Sequence, residues 1–272
     1  MLSSRIASSP VAGNGYVVPS LPPSTARLAI PKLARRIVAN AIGQGLDWVI
    51  SQKLVPNDTA QANRFFGFSV AAIDANTLAI GAVGDANGAT GNGAVYVFGK
   101  SGGSWSISQK LVPNDTAQAN RQFGSSVAAI DANTLAIGAS QDNNGGATAN
   151  GAVYVFVKST GWSISQKLVP NDTAQANRFF GFSVAAIDAN TLAIGAVGDA
   201  NGAAANGAVY ISGKSGGLWS ISQKLVPNDT AQAVRVFGSS VAAIDANTLA
   251  IGAFQDDNGG AIINGAVYIA DL

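Results

Sequence analysis

An all-β fold is predicted, a β-propeller of four small sheets packed side by side, and three observations lead to it. A cassette of 57 residues recurs four times, with Trp48, Trp105, Trp162 and Trp219 equally spaced, as are Gly67, Gly124, Gly181 and Gly238. Such a period marks a chain made of supersecondary units that bury their faces against one another. Each cassette holds four short runs with strand periodicity or composition, divided by Asn, Asp and Gly turns. The third observation is compositional: 47% hydrophobic and 11% charged residues suit a sizeable core, and with no cysteine that core must hold the fold without disulfides.

Residues 1–46 precede the cassettes and differ from them. They carry Arg5, Arg27, Lys32, Arg35 and Arg36 and no acid, whereas residues 47–272 hold 11 bases and all 15 acids, giving +5 and −4 for the net +1. Pro31 at a first helical position and Gly43 beyond the end predict a short helix over 31–42, with Leu33, Ile37 and Val38 on one side. This basic tail reads as an amphipathic arm, with an organelle-type targeting segment as the alternative. Pro31, Lys32, Arg35 and Arg36 interrupt the only apolar stretch, so a secretory signal is a poor match, and no window has the apolar length of a membrane helix.

The outer strand of a cassette is Trp105–Leu111, where Trp105, Ile107, Gln109 and Leu111 alternate with polar residues. Gly124–Ile130, Thr134–Ala139 and Gly151–Phe156 are small, β-branched and aromatic runs, as expected of strands covered on both faces. Asp131-Ala132-Asn133-Thr134 joins the first two inner strands and Asp142–Asn150 the next two. Pro113–Arg121 carries the chain to the next sheet. The glycines of the FG and GA pairs fit a crowded axis where backbones approach closely. Cassettes one and three are identical from Arg64–Ala89 to Arg178–Ala203, while two and four share FGSSVAAIDANTLAIGA, an ABAB order that points to a duplicated pair.

The absence of histidine and cysteine excludes Ser/His and Cys/His nucleophiles and imidazole or thiolate metal sites. Every acid is Asp, and 12 of the 15 fall at three recurring positions, which suggests a duty performed once per cassette rather than one asymmetric catalytic centre. No local spacing pairs two carboxylates for acid/base work. The body is net acidic without a basic stripe, which argues against nucleic acid. GDANGATGNG at 84–93 lacks the ending of a phosphate loop and reads as a hairpin. The candidate ligand-binding loops are those bearing Asp85 and Asn87, Asp142 and Asn144, Asp199 and Asn201, and Asp256, Asp257 and Asn258. Their first reading is as turns, and Asp256-Asp257-Asn258 is the best of them for a hard cation.

FGFSVAAIDANTLAIGA at 66–82, FGSSVAAIDANTLAIGA at 123–139, their later copies, NGAVYVF and W-x-I-x-Q-K-L resemble FG-GAP repeats, the blades of integrin-α-type β-propellers. The resemblance spans 47–272 and implies that the FG segment is the innermost strand and the Trp segment the outer fourth. It further implies that the strand at Trp48 completes the last blade and closes a four-bladed ring, with two chains forming eight blades as the alternative. Calcium-binding members carry an Asp-rich loop between the FG and GA strands. Here that loop is only Asp74-Ala75-Asn76-Thr77 and its copies, too few oxygens for calcium, so no cofactor is expected. The expected function is a non-catalytic scaffold for a protein or glycan, adhesion-like, at a surface or outside the cell, as a monomeric ring or a homodimer. A carbohydrate-active enzyme using Asp residues and a self-assembling structural protein are the alternatives.

Overall fold

The computed structural model describes residues 49–258 and 261–271. The tail and Trp48 lie outside the described residues, and Gln52–Leu272 belong to one compact unit. Fifteen strands are present among the described residues, and no helix long and apolar enough to cross a membrane. The first sheet consists of β1 (Phe66–Asp74), β2 (Thr77–Ala82), β3 (Ala94–Ser101) and β4 (Ser104–Leu111). The second holds β5 (Phe123–Asp131), β6 (Thr134–Ala139), β7 (Ala152–Lys158) and β8 (Trp162–Leu168). The third holds β9 (Phe180–Asp188), β10 (Thr191–Ala196), β11 (Ala208–Ser215) and β12 (Leu218–Leu225). The fourth holds β13 (Ser240–Ala243), β14 (Thr248–Ala253) and β15 (Ala266–Asp271). Each is an antiparallel meander in chain order, with the FG strand at one edge and, in the first three, the Trp strand at the other.

The local chemistry explains the strand ends. Asp74 accepts hydrogen bonds from the Asn76 backbone N–H at 2.7 Å and the Thr77 hydroxyl at 3.0 Å, a tight Asx turn that leads β1 into β2. Asp131, Asp188 and Asp245 accept the same backbone bond from Asn133, Asn190 and Asn247. Between β3 and β4 the register shifts after Val97, and Ser108 at this bulge donates to the Val97 carbonyl at 3.1 Å. The middle strands carry apolar side chains on both faces and are buried throughout in β6.

That burial comes from neighbouring sheets. Ala79, Val95, Val97 and Leu111 of the first sheet share a core with Phe123, Leu135, Ile137, Tyr154 and Trp162 of the second. Val153, Val155 and Leu168 pack likewise on Phe180, Leu192, Tyr210 and Trp219. Val209 and Ile211 then pack on Phe237, Leu249 and Ile251. Each fully buried Phe contributes roughly 1.5–3 kcal/mol, and Phe123 meets Tyr154 edge to face at 5.4 Å. The four sheets are therefore propeller blades that depend on their neighbours for cover.

Glycine permits the close approach. A Cβ on Gly81 would lie 2.2 Å from the Gly124 carbonyl oxygen, and one on Gly138 2.1 Å from that of Gly181. The GA glycine of one blade thus seats the FG glycine of the next, which itself has a positive φ.

One expectation is corrected. The fourth sheet has three strands, not four, and residues 49–54 form no strand. The predicted closing strand is not in place, and β15 is an edge strand among the described residues. The end blades do not meet either, since β1 makes no contact with β13, β14 or β15.

Candidate functional site

Each of the first three blades brings together five side chains that sequence distance keeps apart. In the first, Asp58 and Arg64 come from the connection that enters the blade, Asp85 from the loop that follows β2, Tyr96 from β3 and Lys110 from β4. Arg64 Nη1 lies 2.6 Å from Asp58 Oδ1, and its Nε lies 3.3 Å from Asp85 Oδ2. Lys110 Nζ bridges the same two acids at 2.8 and 3.0 Å. The Tyr96 hydroxyl sits between them, 2.8 Å from Asp58 and 2.7 Å from Asp85. Arg64 also donates to the Thr59 carbonyl. Two acids and two bases make the cluster electrically neutral.

The cluster recurs as Asp115, Arg121, Asp142, Tyr154 and Lys167, and again as Asp172, Arg178, Asp199, Tyr210 and Lys224. In the fourth blade Asp229, Arg235, Asp256 and Tyr268 assemble in the same way. No lysine completes that cluster among the described residues, so it carries a net negative charge.

Burial raises the Asp58 pKa, but hydrogen bonds from Lys110, Tyr96 and Arg64 outweigh it and bring it down to about 2. Asp115 and Asp172 are lowered by the same balance of burial against their lysine and tyrosine bonds. Burial, reinforced by the flanking carboxylates, pushes the four tyrosine hydroxyls upward. Ionised acids held by two cations are poor proton donors near neutral pH, so this pairing suits structure better than general-acid chemistry.

Sequence reasoning placed Asp85, Asp142, Asp199 and Asp256 in ligand-binding loops. The structure buries all four inside these clusters, where their oxygens are engaged by Arg and Tyr and, for Asp85, Asp142 and Asp199, by Lys as well. Asn87, Asn144 and Asn201 donate to the carbonyls of Gly93, Gly151 and Gly207 at 2.9, 2.7 and 2.9 Å, and Asn258 donates to that of Gly265. They tie off the loop before the third strand. Asp257 accepts from the Ile263 N–H at 2.6 Å, which leaves the weak cation candidate Asp256-Asp257-Asn258 acting as a loop brace. No group of three or more acids is gathered as a metal cage among the described residues. Arg64, Lys110, Tyr96 and their copies were missed as partners, although they recur in step with Asp85.

A second surface collects the residues in which the cassettes differ. A hollow of about 270 Å³ is lined by Gln122 and Ser140 of the second blade, Phe179, Phe182 and Val197 of the third, and Val236 and Phe254 of the fourth. Phe65, Phe68 and Val83 hold the corresponding places in the first blade, and Phe65 is 60% exposed. Phe65, Gln122, Phe179 and Val236 all have φ between 53° and 58°. A bulky side chain rarely adopts this left-handed backbone, which costs energy.

Comparison with known proteins follows the blade pattern. The FG-GAP repeat model matches residues 48–98, 105–156, 162–212 and 219–270, the last three matches each running from an outer strand through three strands of the next blade. No match is found among curated proteins. With four matches covering most of its length and a blade for each, the chain belongs to the FG-GAP repeat family.

Proposed function

We propose that this propeller is a non-catalytic binding scaffold, in a surface or extracellular assembly, and that it takes a protein or glycan at the aromatic rim around Phe179, Phe182 and Phe254. The observation that carries the reading is a contrast between two sets of positions. The buried Asp, Arg and Tyr of the clusters are the same in all four cassettes, whereas residues 65, 68 and 83 and their copies change between Phe, Gln, Val and Ser. Variation thus gathers around this hollow, where Phe65, Phe68, Phe182 and Phe254 reach solvent, and the left-handed backbone at Phe179 and Val236 holds costly conformations there. Aromatic rings give large contact area at low entropic cost, which suits protein and sugar surfaces alike.

The test is a binding survey of the full chain on immobilised glycans and on immobilised extracellular matrix proteins. A Phe179→Ser, Phe182→Ser, Phe254→Ser variant should lose at least tenfold in affinity for whichever surface retains the wild type, with an unchanged circular dichroism spectrum. Equal retention of a folded triple variant would remove the rim from the reading. Turnover of a glycan that persists in this variant and stops in Asp85→Asn would favour the carbohydrate-active alternative.

A further inference from the structure

The first and last blades present the two halves of one interface that the chain uses three times internally. Where blades meet, the GA glycine seats the next FG glycine, and Ser69, Ser126 and Ser183 donate to the carbonyls of Gly124, Gly181 and Gly238 at 2.8, 2.8 and 2.7 Å. At the far end, Gly252 has only its own blade's serines around it, and the space beside Gly67 at the near end is open to 4 Å. Val95, Val153 and Val209 are fully buried by a following blade, whereas their equivalent Val267 is 69% exposed. Ile244 and Ile269 lie exposed on the same blade.

Charge tells the same story. Lys110, Lys167 and Lys224 each neutralise the cluster of their own blade from its outer strand. The fourth cluster lacks this cation among the described residues. Lys53 stands one period before Lys110 in the matching Q-K-L segment, is exposed, and makes no ion pair among the described residues. Gln52 meanwhile is fixed to the first blade, since its side chain donates to the Trp105 carbonyl at 2.8 Å and accepts from the Trp105 N–H at 2.9 Å. β1 makes no contact with β13, β14 or β15, so the two halves of the interface do not meet within one chain.

We infer that a second copy of this chain completes the fourth blade: its Gln52–Leu54 segment adds to the free edge of β15, and its Lys53 enters the cluster of Asp229 and Asp256. The second copy's Gly67 then seats on Gly252, and Ser240 gains the carbonyl that its counterparts already hold. The contact is head to tail, and two such joints between two chains would give eight blades. Backbone pairing supplies the edge, as in other strand additions, and the lysine removes the net negative charge left at Asp229, Arg235 and Asp256.

The natural absence of cysteine makes the test direct. The pairings Val97 with Gln109 and Ile211 with Gln223 put Ile269 opposite the second copy's Gln52. Gln52→Cys and Ile269→Cys chains, mixed and oxidised, should give a disulfide-linked species of two chains that neither variant gives alone. Light scattering of the wild type should read the mass of two chains, and Lys53→Glu should shift dissociation to at least tenfold higher protein concentration. A wild type that keeps the mass of one chain across the concentration series overturns the inference. So does a mixture without the cross-link, or a doubly substituted chain that links only within itself.

Discussion

Arg121 and Asp142 form an ion pair with both side chains fully buried, Nε to Oδ2 at 3.1 Å. Burying two charges costs several kcal/mol per ion, repaid only when further partners satisfy them. Here Arg121 also reaches Asp115 at 2.6 Å and the Thr116 carbonyl at 2.5 Å, and Asp142 takes Lys167 at 2.9 Å. The pair pins the connection between blades to the sheet it enters.

Removal of one member should therefore cost far more than removal of the outer cation. Arg121→Met is expected to destabilise by roughly 3–5 kcal/mol, because a buried carboxylate loses its main partner. Lys167→Met, at a partly exposed position, should cost about 1 kcal/mol or less. Urea unfolding of both variants measures the difference, and a larger loss in Lys167→Met would mean that the lysine is the true staple.

The same pair shows what the sequence could reveal. Strand periodicity and turn residues are local, so β6, expected at Thr134–Ala139, has those limits in the structure. Asp142 sits in an Asp-Asn-Gly string that reads locally as an exposed turn, while its partners lie 21 residues before it and 25 after. Their contact exists only once the blade has formed. A legible signal was present all the same: Arg121, Tyr154 and Lys167 have counterparts in other cassettes, and a charge repeated in step with an opposite charge invites pairing. Ring closure was less legible, since the motif at Trp48 states what kind of strand it is but not whose sheet it joins.

Glycine substitution should separate inner joints from the open end. A Cβ at Gly138 meets the backbone of Gly181 at 2.1 Å, so Gly138→Ala must push two blades apart and should cost about 1–3 kcal/mol or more. At Gly252 the nearest atom is the Ser240 hydroxyl at 2.3 Å, the end of a side chain that can rotate. Gly252→Ala should cost under about 1 kcal/mol in the monomeric chain yet weaken the two-chain species. Thermal unfolding and light scattering read these two effects separately.

Acid should loosen the blades over a defined window. Asp58, Asp115 and Asp172 have folded pKa values below the usual 3.8, with Asp58 at about 2. A depressed folded pKa means that the unfolded chain takes up protons first, so this stabilisation is complete above about pH 4 to 5 and is lost as pH falls toward 2. Tryptophan fluorescence followed under mild urea should show stability dropping across that interval. Lys110→Met, which removes one cause of the low Asp58 value, should make the drop shallower.

The fourth cluster supplies the most discriminating comparison. In the second blade, Asp142→Asn would leave Asp115 facing Arg121 and Lys167, an excess positive charge against a fully buried guanidinium. In the fourth, Asp256→Asn would leave Asp229 facing Arg235 alone, a neutral pair at 2.5 Å. Both changes forfeit bonds to a charged group, worth about 1.5–3 kcal/mol, but only the first also strands a cation. Asp142→Asn should therefore approach the roughly 3–5 kcal/mol of a broken buried pair, with Asp256→Asn clearly below it. A Lys53→Met background keeps a second copy's lysine out of the comparison. Restoring Lys53 should raise the cost of Asp256→Asn toward that of Asp142→Asn at high protein concentration, because the fourth cluster then holds the same four charges as the others. Equal costs in both backgrounds would show that the missing lysine leaves the fourth blade's balance unchanged.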